Sequence, residues 1–214
     1  MVPVSGDGDP VNRWVSKGSV PDFAITCLSG AATYRPTLFG KAGVSFAAFQ
    51  GLYSDPTVLN TCQEGYTQFL VVSNVRGEPF VGNNGLFWHQ TIIENGNGHF
   101  NRYSFNTYWW FEPFGADSTQ LIQNYGTSTF PLGLILYAIR ADARTGTTNV
   151  YVNNRTTPIA SIDYGTAHLT GIPRVGGQDP FRSAVAEFRL WRRRMDDAEF
   201  ATVFDGLKAS YGIA

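Results

Sequence analysis

Carboxylates are the first residues to examine for catalysis in this chain of 214 residues, which contains 17 acidic side chains. A retaining glycosidase needs two carboxylates about 5 to 5.5 Å apart, which alternating positions of one strand can provide. No strand-like segment carries acids at that spacing. The cluster of Asp196, Asp197 and Glu199 suits the start of a helix, where negative charge is favourable. Glu187 opens an apolar strand and is expected to accept hydrogen bonds. We therefore predict no catalytic residue and no enzymatic activity.

Histidine and cysteine give no stronger indication of chemistry. The three histidines, His89, His99 and His168, belong to no nucleophile motif with serine or cysteine. His89 and His99 flank a predicted hairpin, but a transition-metal site needs a third or fourth ligand. No loop has the closely spaced acids that calcium prefers. Cys27 and Cys62 are too few for a disulfide scaffold. We expect neither a metal nor a cofactor.

Aromatic side chains are concentrated in the segment HFNRYSFNTYWWFEPF at residues 99–114, in a chain that is 14% aromatic. Side chains of an extended strand alternate between the two faces of its sheet. Trp109 and Phe111 therefore share one face, while Tyr108 and Trp110 share the other. We predict that Trp109 and Phe111 belong to the core.

The second aromatic pair is predicted to form a ligand-binding face. Tyr108 and Trp110 would act there with Trp88 or His89 from a neighbouring strand. Tyrosine and tryptophan combine an apolar ring with a polar tip, which suits a partly hydrated contact. The rings could stack on sugars or pack against a protein partner, and a roof of loops over this face is the alternative to both.

The elements that must position these residues are mostly strands. The chain contains 23 glycines and 11 prolines, which separate short runs rich in Val, Ile, Phe, Tyr and Thr, and this pattern is typical of an all-β protein. The Asn-Gly pairs at 95–98 predict a hairpin over 86–105, and Arg144-Thr145-Gly146 predicts a second one. The candidate strands are 44–49, 67–72, 86–93, 100–105, 107–111, 134–140, 148–152 and 185–192.

One segment near the C-terminus, residues 196–210, is predicted to be helical. Asp196 can cap it, Glu199 stands three residues later as in a capping box, and Gly212 can end it. The apolar residues that would share one helix face are Phe200, Val203, Phe204, Leu207 and Tyr211.

The chain is expected to form one domain over residues 14–214, preceded by an arm at 1–13. Pro3, Gly6, Gly8 and Pro10 punctuate the arm, which we expect to lie over or beyond the domain rather than in its core. A chain of this size can close one large hydrophobic core.

Charge and hydropathy exclude several partners. Charged residues make up 15% of the chain and the formal net charge is -1, so no basic face for nucleic acid is expected. No apolar segment is long enough for membrane insertion. The N-terminus lacks the basic and apolar regions of a signal peptide, which predicts synthesis in the cytoplasm.

The last forty or so residues, IPRVGGQDPFRSAVAEFRLWRRRMDDAEFATVFDGLKASYGIA, resemble the closing segment of laminin-G-like domains, which have the concanavalin A-like jelly-roll fold. The shared features are Gly176-Gly177, the strand sequence AEFRLW at 186–191, the helix start at 196–199, and the ending KASYG at 208–212. Upstream, YRPTLFGKAGVSFAAFQGLY, TQFLVVSNVRG and a hairpin that ends in Tyr-Val-Asn at 151–153 are similar to the family's central strands. The resemblance implies a two-sheet antiparallel jelly-roll sandwich with one short C-terminal helix.

Members of that family occur in secreted bacterial proteins and as structural proteins of viruses, bacteriophages above all. We therefore expect a non-catalytic, lectin-like module on a virion, made in the host cytoplasm and binding glycans. The alternative is a decoration protein that contacts capsid or tail subunits, and a homo-oligomer is compatible with either. A polysaccharide hydrolase or lyase with an unrecognised site comes third.

Overall fold

A computed structural model gives the fold over most of the predicted elements. The residues it describes are 6–11, 13–15, 24–27, 32–38, 40–46, 51–53, 65–74, 85–91, 99–104, 108–113, 121–124, 133–142, 144–163, 174–176 and 183–214. The predicted turn at 95–98, Cys62 and His168 lie outside these residues.

Short strands and one C-terminal helix make up the described chain. In chain order they are β1 (Pro10–Val11), β2 (Arg13–Val15), β3 (Ala24–Cys27), β4 (Ala32–Leu38), β5 (Lys41–Phe46), β6 (Gly51–Tyr53), β7 (Gly65–Asn74), β8 (Gly85–Thr91), β9 (His99–Ser104), β10 (Tyr108–Pro113), β11 (Leu121–Asn124), β12 (Gly133–Asp142), β13 (Thr147–Val152), β14 (Ala160–Asp163), β15 (Arg174–Gly176), β16 (Ser183–Trp191) and α1 (Asp197–Tyr211).

The strands form two antiparallel sheets of eight strands each. The first sheet has the order β1-β4-β5-β16-β7-β12-β13-β14, and the second has the order β11-β10-β9-β8-β15-β6-β3-β2. The predicted fold class, an all-β two-sheet sandwich with one C-terminal helix, is confirmed. Each of the eight candidate strands overlaps a described strand. Seven of the eight strands that were not predicted are only two to four residues long, too short to show a period.

Both predicted hairpins are present as antiparallel strand pairs, β8 with β9 and β12 with β13. In the second hairpin, Asp142 Oδ1 accepts the backbone N–H groups of Arg144 and Thr145 at 2.9 and 3.4 Å. Gly146 follows with φ 74°, a left-handed conformation that glycine adopts without steric cost. The turn sequence therefore sets the register of the pair.

The start of the chain differs from the expected arm at β1. Pro10 and Val11 pair with Thr33 and Ala32 at the edge of the first sheet, and Val11 is buried. Asn12 alone separates β1 from β2, which lies at the edge of the second sheet. Pro10 and Val11 of the predicted arm are thus part of the first sheet, and the Val11 side chain belongs to the core.

Helix α1 covers one face of the first sheet. Phe69 and Val71 of β7 alternate with Leu70 and Val72, and both sets are buried, so the sheet is covered on both faces at this central strand. The face of Phe69 packs against the helix. The buried residues of the helix side are Phe69, Val71, Leu134, Leu136, Ala138, Tyr151, Met195, Phe200, Phe204, Leu207 and Ile213.

A short linker between β16 and α1 is fixed by two polar side chains of the sheet. Thr67 Oγ1 donates to the carbonyl of Arg193 at 3.0 Å and accepts the backbone N–H of Met195 at 2.8 Å. The buried Arg140 donates to the carbonyl of Met195 at 2.7 Å, and its guanidinium carbon lies 4.7 Å from the ring centroid of Phe200. These contacts fix the point at which the helix begins.

The predicted signals at both ends of the helix are in place, with one difference. Asp196 Oδ1 accepts the N–H of Glu199 at 2.8 Å, as an N-cap should. The Glu199 carboxylate, however, binds Arg193 through two hydrogen bonds of 2.6 and 2.5 Å instead of closing a capping box. At the other end Gly212 has φ 61°, and the N–H of the buried Ile213 binds the carbonyl of Lys208 at 3.0 Å, which is a Schellman ending.

The loop after β13 holds the helix from the side. Asn153 has φ 51° and accepts the N–H of Leu136 on its side-chain oxygen at 2.8 Å. Lys208 Nζ donates to the carbonyl of Asn153 at 2.8 Å, and Arg155 pairs with Asp205 at the same distance. The Tyr-Val-Asn segment therefore connects the central hairpin to the last turns of the helix.

Glu187 accepts hydrogen bonds, as expected, and its donors are side chains. The hydroxyl of Tyr211 donates to Glu187 Oε2 at 2.7 Å, and Arg189 pairs with the other oxygen. The ammonium of Lys41 lies 5.6 Å from the Tyr211 ring centroid. This group joins the end of the helix to β16 and β5, so Glu187 has a structural role.

Alkaline pH should weaken the contact between Tyr211 and Glu187. Burial, and then the hydrogen bond to Glu187, raise the pKa of Tyr211 above its ordinary value. The folded protein therefore holds this proton more tightly than the unfolded chain, in which tyrosine titrates near pH 10. The resulting stability is complete below about pH 10 and is lost as the pH rises further. Tyr211→Phe should melt below the parent at pH 7, and the difference should narrow at pH 11. A difference that stays constant in thermal melts across this range would contradict the assignment.

Candidate ligand-binding face

The aromatic strand β10 lies in the second sheet between β9 and β11. Trp110 is directly opposite Arg102 of β9 and Ile122 of β11, and Arg102 is in turn opposite Trp88 of β8. Residues directly opposite each other in a sheet share a face. Trp88, Arg102 and Trp110 therefore form one row, with the arginine position between the two tryptophan positions.

Tyr108 stands two residues before Trp110 and shares its face by the alternation of the strand. The pairings of β10 with β9 and with β11 run without a register shift over the described residues. The shift in β8 falls between Gly85 and Phe87, before Trp88. We call the surface that holds Trp88, Arg102, Tyr108 and Trp110 the Trp88 face.

His89 does not share this face with the other predicted site residues. It is opposite Asn101, which is opposite Phe111, so His89 lies on the face of Phe111. Trp109 lies on that same face, in a row with Tyr103 and Phe87. Register thus groups Trp88, rather than His89, with Tyr108 and Trp110, and their role in ligand binding stays a prediction.

Charged residues in the strands of the second sheet are few, and all of them map to the Trp88 face. Arg13, Thr26, Tyr53 and Arg174 form a continuous row across four strands. Val175 is opposite His89 and therefore shares its face. Arg174, the residue before Val175, lies on the other face, which is that of Trp88. Arg102 and Glu112 complete the charged set, because Glu112 stands two residues after Trp110.

The opposite face of the same sheet is mostly apolar. Its rows carry no Asp, Glu, Lys or Arg in the described strands. Its apolar residues include Trp14, Ile25, Cys27, Leu52, Phe87, Trp109, Phe111, Leu121 and Val175, and its polar residues include His89, Thr91, His99, Asn101 and Gln123. Since charged side chains are rarely buried without partners, the Trp88 face is the one that suits solvent. This pattern supports the predicted assignment of Trp109 and Phe111 to the core.

Two glycines extend the central row of the Trp88 face. Gly51 of β6 is opposite Gly176 of β15, and the antiparallel register that pairs Val175 with His89 places Gly176 beside Trp88. Two consecutive positions of the row therefore have no side chain. Such positions allow a ligand to approach the backbone closely, next to an aromatic position.

Within the part of the chain that the structure describes, no group of three or more His, Cys, Asp or Glu residues is placed to hold a metal ion. His99 is opposite Thr91, which stands two residues after His89 in β8. His89 and His99 are therefore diagonal neighbours on one face of the sheet. Among the described elements, no helix has the length and hydropathy needed to cross a membrane.

The sequence did not single out Arg102, Arg13 or Arg174. They are far apart along the chain, and the row that unites Arg13 with Arg174 spans four separate strands. No local pattern marks them. The one available signal was the position of Arg102 within the aromatic segment at 99–114.

The fold is similar to the binding domains of botulinum neurotoxins. One such structure, of neurotoxin DC bound to rat synaptotagmin II, has a TM-score of 0.63 at 11% identity over 92% of this chain and 51% of the other. The same domain bound to SialylT gives 0.62 at 11% identity, covering 86% and 47%, and the serotype G domain gives 0.60 at 12% identity, covering 87% and 47%.

This chain spans about half the length of those solved structures. At such low identity the likeness shows the fold alone. No protein-family model matches the sequence, and no curated protein matches it. Membership of the laminin-G-like family therefore stays a prediction.

Proposed function

We propose that this protein is a non-catalytic, lectin-like module that binds glycans through the Trp88 face. The observation that carries the proposal is the row formed by Trp88, Arg102 and Trp110, on the face that also receives every charged residue of the sheet's described strands. Aromatic rings stack on the apolar faces of sugars, and polar side chains around them hydrogen bond to hydroxyl groups.

The arrangement of layers favours the same surface. The central strands of the first sheet are buried on both faces, and α1 packs on one of these faces. The Trp88 face is thus the sheet face that suits contact with a ligand. Similar folds in the solved structures are binding domains, one bound to a protein and one to SialylT, which supports a binding module over an enzyme.

The setting proposed for this module is a bacteriophage virion, as the sequence resemblance implies. A decoration protein that uses the same face against a capsid or tail subunit is the second candidate, because exposed aromatic residues also suit protein interfaces. Binding assays separate the two candidates. A glycan-binding module binds free oligosaccharides, whereas a decoration protein binds purified virus particles and no free oligosaccharide.

Binding to a broad glycan array tests the proposed function. The parent should bind at least one glycan class, and Trp88→Ala should weaken that binding by about 1 to 3 kcal/mol, the usual cost of losing an aromatic anchor. The matched control is Tyr34→Ala, which removes a partly exposed ring from β4 of the first sheet. A parent that binds no glycan would overturn the proposal, and so would equal losses in both variants.

A further inference from the structure

We infer that the ligand of the Trp88 face is an acidic glycan, whose carboxylate or sulfate group is bound at Arg102. This inference rests on the proposed function and adds the chemical class of the ligand. It comes from the charges that the strand register assembles on this face, which the order of residues along the chain does not reveal.

The charge balance of the face is the first support. Arg13, Arg102 and Arg174 against Glu112 give this surface a net charge of +2 over the described strands, whereas the whole chain has a net charge of -1. A positive surface attracts anions even when the whole protein is slightly acidic. The excess of arginine therefore favours an anionic ligand.

The position of Arg102 is the second support. Arg102 lies between Trp88 and Trp110 in the row, so a sugar stacked at either tryptophan position is one strand away from a guanidinium. Neighbouring strands are about 4.8 Å apart, which is close to the length of one sugar ring. Arginine binds carboxylate and sulfate oxygens through paired hydrogen bonds.

Glu112 is the one acid on this face in the described strands, and it lies outside the row of Trp88, Arg102 and Trp110. It is opposite Phe100, which makes it a diagonal neighbour of Arg102. Arg13 and Arg174 lie in the row to which Glu112 belongs, because the register of Val175 with His89 places Arg174 beside Gln90, which is opposite Phe100. An acidic chain that crosses the sheet can therefore meet arginine in both rows, next to the glycine pair.

Matched glycan pairs provide the test, since each pair shares a backbone and differs in one acidic group. The pairs are sialylated and desialylated oligosaccharides, oligogalacturonates and their methyl esters, and sulfated and desulfated glycosaminoglycan fragments. The parent should prefer the acidic member of at least one pair by about tenfold or more, and 0.5 M NaCl should reduce that preference. Arg102→Gln should weaken binding to the acidic member by about 10- to 100-fold and change binding to the neutral member by less than about twofold.

Arg35→Gln is the matched control, because Arg35 lies in β4 of the first sheet, exposed and paired with Asp7. It removes the same charge away from the Trp88 face and should change nothing. Arg174→Gln is the second variant and should cause a smaller loss than Arg102→Gln. Arg102→Gln and Arg174→Gln should both melt like the parent, because both positions lie on the face that we assign to solvent.

Each adverse outcome has a distinct meaning. Equal binding to both members of every pair, unchanged in Arg102→Gln, overturns this inference and leaves the proposed function in place. No binding to any glycan overturns both. Tighter binding to a single-stranded oligonucleotide than to any glycan also overturns both, and unfolding of Arg102→Gln and Arg174→Gln overturns the assignment of the face.

Discussion

Replacement of Phe200 by alanine should lower the free energy of unfolding by about 3 to 5 kcal/mol, the usual cost of deleting a buried ring. Phe200 is 2% exposed and lies at the centre of the helix–sheet contact. Its ring centroid is 5.3 Å from Phe69, 5.0 Å from Tyr151 and 5.6 Å from Phe204. The truncation also removes the surface beneath Arg140, whose guanidinium would then face a cavity.

Urea and thermal unfolding measure this effect. A protein of this size loses about 2 to 4 °C per kcal/mol, so the melting temperature should fall by about 10 °C. Phe200→Leu keeps most of the volume and should cost less than half as much. Val203→Ala is the matched control, because Val203 packs only at the margin of the same cluster. A Phe200→Ala protein that melts like the parent would mean that α1 contributes little to the stability of the sandwich.

Trp109→Ala and Trp110→Ala should have opposite effects on stability and binding. Trp109 belongs to the mostly apolar face, so its truncation should cost about 3 to 5 kcal/mol of stability. Trp110 belongs to the Trp88 face, so its truncation should cost little stability and weaken ligand binding by about 1 to 3 kcal/mol. The two residues are adjacent in β10 and chemically identical, which makes each the control for the other.

Thermal melts and binding assays on both variants decide between the faces. If Trp110→Ala unfolds while Trp109→Ala melts normally, the two faces are reversed. If both variants fold and bind like the parent, the aromatic strand is not the contact surface. His89→Ala adds a third comparison, since the register groups His89 with Trp109 and predicts no direct effect on binding.

The C-terminal helix could be predicted in detail because its signals are local. Asp196 at the start and Gly212 at the end act on backbone groups within a few residues, so their types are readable from the sequence. Strands such as β2, β6 and β15 have three residues each and exist only because longer neighbours pair with them. Their formation is a tertiary effect, which no local pattern records.

The candidate site was predictable to the level of strand parity. Alternation alone separates Tyr108 and Trp110 from Trp109 and Phe111. The choice between Trp88 and His89, however, depends on how β8 aligns with β9, a register that the Asn-Gly turn sequence did not fix in advance. The arginines were missed for the same reason, because a row across several strands joins residues that are distant in the chain.

The segments that carried the family resemblance have structural roles in the described chain. Tyr151 packs on Phe200, Asn153 receives Lys208, and Gly212 ends the helix. Glu187 anchors Tyr211. These residues explain why such a sequence pattern predicts the fold well, while the function has to be sought on a different sheet.

The position of α1 on the first sheet bears on how many ligands one copy can engage. Since α1 occupies one side of that sheet, the proposed binding site lies on the Trp88 face alone, and each copy would engage one glycan at a time. Monovalent modules gain strength through display in arrays, where linkage of two sites raises the overall affinity by about 10²- to 10⁴-fold without any new contact. Weak binding by the isolated domain and firm attachment by a surface that carries many copies are therefore expected together. The spacing between copies, rather than the affinity of one face, would set which glycan surfaces are held.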